Sequence, residues 1–510
     1  MRTRTVSVVL ASLLAITAAC GGSDGDDAAP SDDGGGSSSG GDVVIVTGNE
    51  PTTLDPQLSE DYAARVINLG NIYETLLERT PEGELVPLLA TDLPTRVDDD
   101  TWQFKLRDDV TFHDGSPFNA DAVAYSVNRI ISDELESEQI AFFETIAGAT
   151  AVDETTVDID TNGPDPLLPT RMFWLTIVAD GAGDDPDFAQ NPNGTGPFKF
   201  VEWNVGQDVV LERNDDYWGE PATIDTVTVR SIPDPGAQVA ALQTEEVDLL
   251  LQISPEQAKQ VPSTKSIEGT ESPIIRLDSR EGILADVRVR QALNYAVDKQ
   301  TLVDTLLDGF ARPSDCQVMA PGVFGYNPDL KPYPYDPEKA RQLLEEAGAV
   351  GAEFTFTGIS GRFVRDRELA EAITQYFNEV GLKVTLEFPD IAIYLDHLFV
   401  KEQFPDLLYI SSSNELFDGD KQMTYLESTG RGSGYVNEEV DALAASARVE
   451  LDVDVREGMY QDLNKLACDD AANVFLVNTQ DIYGMSEDLN WEPRRDGLIL
   501  AKSMSITSHG

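Results

Sequence analysis

Residues 88–131 read LLATDLPTRVDDDTWQFKLRDDVTFHDGSPFNADAVAYSVNRII. Trp102, Phe104 and Leu106 alternate with Gln103 and Lys105, the two-residue period of a half-buried strand. His113-Asp114-Gly115 predicts a turn, because Gly reaches positive φ without steric cost and Asp bonds back to its own backbone. Asn119 is placed to cap a helix on which Val123, Val127 and Ile130 share one face. The stretch therefore predicts a strand, a turn and a helix in succession.

The same alternation continues to both sides. Residues 43–46 predict a buried strand, and 64–79 a helix closed by Pro81 and Gly83. Residues 155–159 are β-rich, and 165–178 form an apolar segment broken by Pro. Residues 199–203 and 209–212 predict two strands joined by Asn204-Val205-Gly206. Residues 227–232 predict a strand and 237–242 a short helix. Residues 286–309 read as one helical run ending at Gly309. Asp336-Pro337 opens a helix that Gly348 stops. Further on, 367–380, 437–447 and 453–466 predict helices, and 353–356, 384–388, 406–410 and 474–477 predict strands. Strands alternating with helices predict an α/β protein, and 510 residues suffice for two or three domains.

Several blocks carry a resemblance in chain order: LDP at 54–56, IYETL at 72–76, the 88–131 stretch, GTGPF at 194–198, NDDYW at 214–218, DVRVRQALNYAVDK at 286–299 and DPEKARQLLEEAG at 336–348. Residues 246–250 resemble a G-x-x-D motif with Glu in place of Gly. Together these blocks resemble the family 5 extracellular solute-binding proteins, the receptors of peptide-importing ABC transporters. The resemblance implies a type II periplasmic-binding-protein fold, two lobes joined by a two-crossover hinge with an extra subdomain. Lobe I would comprise 43–60, 180–275 and 480–510, the accessory subdomain 61–179, and lobe II 276–479. It also implies capture of a peptide or related small polar solute between the lobes and delivery to an ABC permease, by a monomer without a cofactor.

The formal net charge is −55. A surface that acidic repels phosphate backbones and anionic headgroups, which disfavours nucleic-acid partners. Residues 1–19 read as a signal peptide: Arg2 and Arg4 precede an apolar run at 6–16 too short to span a bilayer. Thr17-Ala18-Ala19-Cys20 resembles a bacterial lipobox, with Thr17 where an aliphatic residue is usual. That implies a lipidated Cys20 and an anchor on the outer face of the cytoplasmic membrane; the alternative is a plain secretory signal. Residues 20–42 then form a flexible acidic Gly/Ser linker, whose Asp spacing matches no EF-hand loop. Cys316 and Cys468 remain as an even pair in an exported protein, which predicts a disulfide; two buried free thiols are the alternative. So long a closed loop is worth about 4–5 kcal/mol in the chain-entropy model.

The sequence has no G-x-S-x-G elbow, H-E-x-x-H or P-loop. Its three His, at 113, 397 and 509, are scattered, so no metal site is expected. Binding rather than catalysis is the reading, with a sensor or adhesion lipoprotein on the same fold as the alternative and a hydrolase disfavoured. Receptors of this family hold a peptide as an added strand and clamp its charged termini. The resemblance places the ammonium clamp in the loop after the 406–410 strand, where the family often reads W-x-x-D-Y-x-D-P and this chain reads SSSNELFDGD. Glu415 is the first candidate and Asp418 the second, with Asn414 beside them. The anion clamp is expected in Gly361-Arg362-Phe363-Val364-Arg365, which enters a helix N-terminus; Arg362 is favoured over Arg365. Glu60, Asp61 and Tyr62 follow LDP where the family lines its cleft, and Phe173 and Trp174 are candidates for an apolar wall or for core. In so acidic a chain, each acid is equally well explained as a solvated face.

Overall fold

The computed structural model describes residues 40–400, 403–430 and 434–507; Cys20 and the signal peptide lie outside them. Two mixed sheets dominate. The larger has eight strands, in the order Ser263–Glu268, Val477–Met485, Leu249–Leu250, Asp42–Thr47, Thr226–Ser231, Asp208–Arg213 and Phe198–Asn204, with Ala311–Pro313 also paired to Val477–Met485. Asp42–Thr47 lies parallel to both its neighbours. The smaller sheet has five strands, in the order Lys383–Glu387, Glu353–Thr357, Leu407–Ser412, Ser272–Leu277 and Asn473–Phe475. Each sheet has its own apolar core: Ile274, Phe356 and Tyr409 belong to one, Val43, Phe198 and Trp491 to another. Separate cores are what allow two bodies to move as units.

Leaving aside the short Ala311–Pro313, which joins the larger sheet only through the start of Val477–Met485, the chain passes between the sheets twice. Ser263–Glu268 gives way to Ser272–Leu277 across residues 269–271, and Asn473–Phe475 gives way to Val477–Met485 across Leu476. Gly269 N donates to Thr479 O and Thr479 N donates to Glu271 O, so the two passages are bonded to each other. The expected divisions at 275 and 479 thus fall inside strands, and the single strand expected at 474–477 is the junction of two.

The 88–131 stretch contributes two strands to a third, four-stranded antiparallel sheet, in the order Thr95–Arg96, Thr101–Lys105, Thr156–Thr161 and Ile146–Asp153. Phe104 and Leu106 are buried while Trp102 is half-buried. Asn119 Oδ1 accepts from Ala122 N at 3.1 Å, capping the helix Ala120–Ile130, whose Val123, Val127 and Ile130 are fully buried against this sheet.

The motif blocks meet at one buried carboxylate. Glu74 of IYETL accepts from Thr195 Oγ1 (2.9 Å), Tyr217 Oη (2.6 Å) and Trp218 Nε1 (2.8 Å). Burial pushes its carboxyl up, opposed by these donors. A Cβ on Gly194 would stand 1.9 Å from Ile72 O, so the backbone approach itself requires glycine there. His113 belongs to the same knot, its Nε2 3.0 Å from Gly196 O.

Two expected helices are divided. That at 64–79 is the helix Tyr62–Asn68 only, because Gly70 turns at φ +77° and the chain then doubles back to deliver Glu74. That at 286–309 is Val287–Ala296 followed by Lys299–Leu306, because Val297 is extended and Asp298 caps the second helix through Thr301 N. Cys316 and Cys468 are joined by a disulfide, with Cα atoms 5.4 Å apart.

Candidate functional site

A cleft of about 730 Å³ opens where the bodies face each other. Its floor lies along the two connections, with Thr270 and Glu271 on one and Thr479 to Asp481 in the strand that the other enters. One wall carries Tyr62, Arg65 and Trp174; the other carries the loops at 361–365 and 413–415.

Of the expected anion contacts, Arg362 lines the cleft, its guanidinium 5.5 Å from the Phe363 ring and without an ion pair among the described residues. Phe363 lines it too and packs toward Tyr409, ring centroids 6.3 Å apart. Arg365 faces the cleft but is committed elsewhere. It pairs with Glu368 at 2.7 Å and with Glu256, which stands on the helix Pro255–Ala258 beside the larger sheet. Arg365 sits at φ +56°, a left-handed conformation unusual for a side-chain-bearing residue. The amides of the loop that leads into the helix Asp366–Glu379 are already used. Asp366 accepts from Gly361 N, Arg362 N and Phe363 N at 2.8–3.0 Å, so those donors are spent inside the loop.

The acidic loop divides by burial. Asp418 is 6% exposed and holds Arg456 by two bonds of 2.6 Å, so its carboxylate braces the fold and does not line the cleft. Asn414 Nδ2 donates to Asp418 O at 2.6 Å and its backbone N to Thr270 Oγ1 at 3.0 Å; its side chain is used within the loop. Glu415 does face the cleft. Burial raises its carboxyl, but Lys421 and Ser413 outweigh that and hold it below the ordinary range.

Beside the cleft, a smaller cavity of about 120 Å³ is lined by Glu60, Arg65, Asn68, Trp174 and Glu415. The Glu60 carboxyl is pushed up by burial and then by Glu415. Asp61 is turned away: it caps the helix Tyr62–Asn68 through Ala63 N and also accepts from Thr52 N, both at 2.8 Å. Tyr62 lines the cleft, and Trp174 lines both spaces, whereas its neighbour Phe173 is core.

Among the cleft residues that the sequence reading does not pick out are Arg65, Glu271 and Asp481. Arg65 lies 5.0 Å from the Tyr62 ring and 5.2 Å from the Trp174 ring, a cation held between two aromatic faces with no ion pair among the described residues. The only sequence signal for it is its place three residues after Tyr62 on a capped helix. Glu271 stands on one crossover and Asp481 in the strand that follows the other. Burial first, then Glu271, pushes Asp481 up to about 6, with Arg65 opposing; burial, then Glu415, raises Glu271.

The profile of the bacterial extracellular solute-binding proteins, family 5, matches residues 84–434. The chain belongs to that family. This family 5 receptor is 29% identical over 465 residues to the glutathione-binding protein GsiB of Pectobacterium atrosepticum, covering 87% of its own length and 89% of the relative's. It superposes on the ABC transporter substrate-binding protein CtaP of Listeria monocytogenes with a TM-score of 0.82 at 23% identity, over 92% of its length and all of the other chain. With the periplasmic binding protein DppA of Helicobacter pylori, solved with the peptide STSA, the TM-score is 0.71 at 26% identity, over 92% and 98%. The fold is thus that of the periplasmic binding proteins, and the receptor's role is substrate binding for an ABC importer. These relatives are binding proteins rather than enzymes. Among the described residues no group of three or more His, Cys, Asp or Glu is arranged to hold a metal ion, and no helix is long and apolar enough to cross a membrane.

Proposed function

We propose that this receptor captures a short peptide or related small polar solute bearing both charges, and that it does so by closing two lobes on the crossovers. In this reading one lobe is built on the eight-stranded sheet and the other on the five-stranded sheet, with 61–179 as accessory subdomain. What chiefly supports the reading is the cleft's split electrostatics. Arg65 and Arg362 approach from different bodies without ion-pair partners among the described residues, above a floor bearing Glu271 and Asp481. Such a site suits a zwitterion, since each end of the ligand meets an opposite charge in a partly desolvated space. The receptor is tethered by a lipid on Cys20, works as a monomer without catalysis, and hands its ligand to the permease when the cleft opens.

Native mass spectrometry of the purified protein tests this directly. The expected result is a carried solute of peptide-like mass, released on denaturation, and thermal stabilisation by members of a di- to tetrapeptide library. Stabilisation by neutral sugars and by no peptide would defeat the peptide reading.

A further inference from the structure

Two apolar residues follow Glu415, and they do not pack into the core of their own sheet. Leu416 is 6% exposed and shares an apolar cluster with Leu77, Phe104 and Phe173 of the 61–179 region, rather than with Ile274, Phe356 and Tyr409. Phe417, also buried, lies at φ +56°, a left-handed conformation that persists in a bulky residue only where its surroundings fix it. What fixes it includes Arg79, at the end of the strand Leu77–Arg79. The guanidinium lies 4.9 Å from the Phe417 ring and 5.2 Å from the Phe173 ring, a cation between two aromatic faces. Its Nη2 donates to Leu416 O at 2.9 Å and its Nη1 to Gly83 O at 2.6 Å. Burial pushes the guanidinium down to about 10, opposed by Asp496 and then Asp418, so it stays charged at neutral pH. Arg79 is itself buried and does not line the cleft.

On either side of this tip the loop is tied to its own body. Asn414 N donates to Thr270 Oγ1, Asp418 holds Arg456, and Phe417 O accepts from Phe324 N at 2.9 Å. Glu415 sits between these anchors and the one supplied from the other side by Arg79. Resting on the solute-capture reading above, we propose that Arg79 is a positioning residue for that capture: it clasps the tip of the 411–420 loop, holds Glu415 at the cleft edge and ties the five-stranded-sheet body to the accessory subdomain. When the cleft opens, Leu416 leaves its apolar seat while Arg79 loses an acceptor and an aromatic face together. The open form is penalised by that joint loss, so the clasp biases the receptor toward the closed form. The accessory subdomain thereby governs how long a captured solute stays, although Arg79 stands outside the cleft.

Distances between paired spin labels test the clasp without any added ligand. Val97, Lys383 and Val205 are exposed on the accessory subdomain, the five-stranded sheet and the larger sheet, and Cys316 and Cys468, being joined, take no label. With labels on Val97→Cys and Lys383→Cys, the otherwise unaltered protein is expected to give one distance, and Arg79→Gln and Leu416→Ala each to add a second, longer one. With labels on Val97→Cys and Val205→Cys, neither variant is expected to change the distance. Leu416→Met, close in volume, is expected to behave as the unaltered protein. Native mass spectrometry is expected to find carried solute reduced at least about 10-fold in Arg79→Gln and Leu416→Ala. An unchanged 97–383 distance in both variants, a shift in the 97–205 distance, or undiminished carriage overturns the assignment. Absence of carried solute from the unaltered protein counts against the capture reading instead, and the distances then decide the clasp alone.

Discussion

The 88–131 stretch and the 411–420 loop both carry acids, and they use them in opposite ways. In the first, Asp98 to Asp100, Asp108 and Asp109 are exposed, and the apolar positions set the structure. In the second, Asn414, Leu416, Phe417 and Asp418 are all buried, and the polar groups set the structure by bonding one another. A repeat of two or 3.6 residues is visible in a sequence because the geometry of strand and helix is fixed. A polar loop has no repeat, and its roles are assigned by partners far along the chain. Glu415 and Asp418 are chemically similar and three positions apart, yet one faces the cleft and the other is locked to Arg456 in the helix Val453–Asp469.

The sharpest way to break this contrast is Asp418→Ala. It leaves Arg456 buried without its carboxylate and should cost about 3–5 kcal/mol in urea unfolding. Glu415→Gln, at a half-buried pair, should cost no more than about 1 kcal/mol. Equal effects would mean that the loop is not divided by burial. Next comes Asp481→Asn. The folded-state pKa of Asp481, about 6, lies above its ordinary 3.8, so the fold disfavours the ionised form and loses stability as pH rises through about 6. The Asn variant should gain up to about 3 kcal/mol at pH 7, and the advantage should vanish below about pH 4 in a pH series of thermal melts. In the 88–131 stretch, Asn119→Ala removes only a helix cap and should cost about 1 kcal/mol, read the same way. Smallest in stability is Arg365→Ala, which breaks a partly exposed interbody pair worth roughly 0.2–1 kcal/mol. Its readout is shape: X-ray scattering should show a larger radius of gyration, reproduced by Glu256→Gln and absent in Glu368→Gln.

Most of the α/β architecture was legible, because it rests on apolar periodicity and caps such as Asn119 and Asp336. The motif blocks were legible as text, but their meeting at Glu74 was not, since hydrogen bonds across more than a hundred residues leave no local pattern. For the same reason Arg65 went unread: the Trp174 ring that frames it lies in a distant helix. The 361–367 loop reads as an anion site from Arg362 and from its entry into a helix; Arg362 lines the cleft, while Asp366 takes the loop amides of 361–363, a bond that no local pattern announces.

The bonded crossovers have a mechanical consequence. Gly269, Glu271 and Thr479 zip the two connections into one ribbon, so in the proposed closure the bodies would turn on a single axle rather than on two independent strings. Twisting remains soft about that line, while sliding would break the zip. Glu271 would ride on the axle itself and Asp481 just beyond it, where a small torque is felt by every atom farther out.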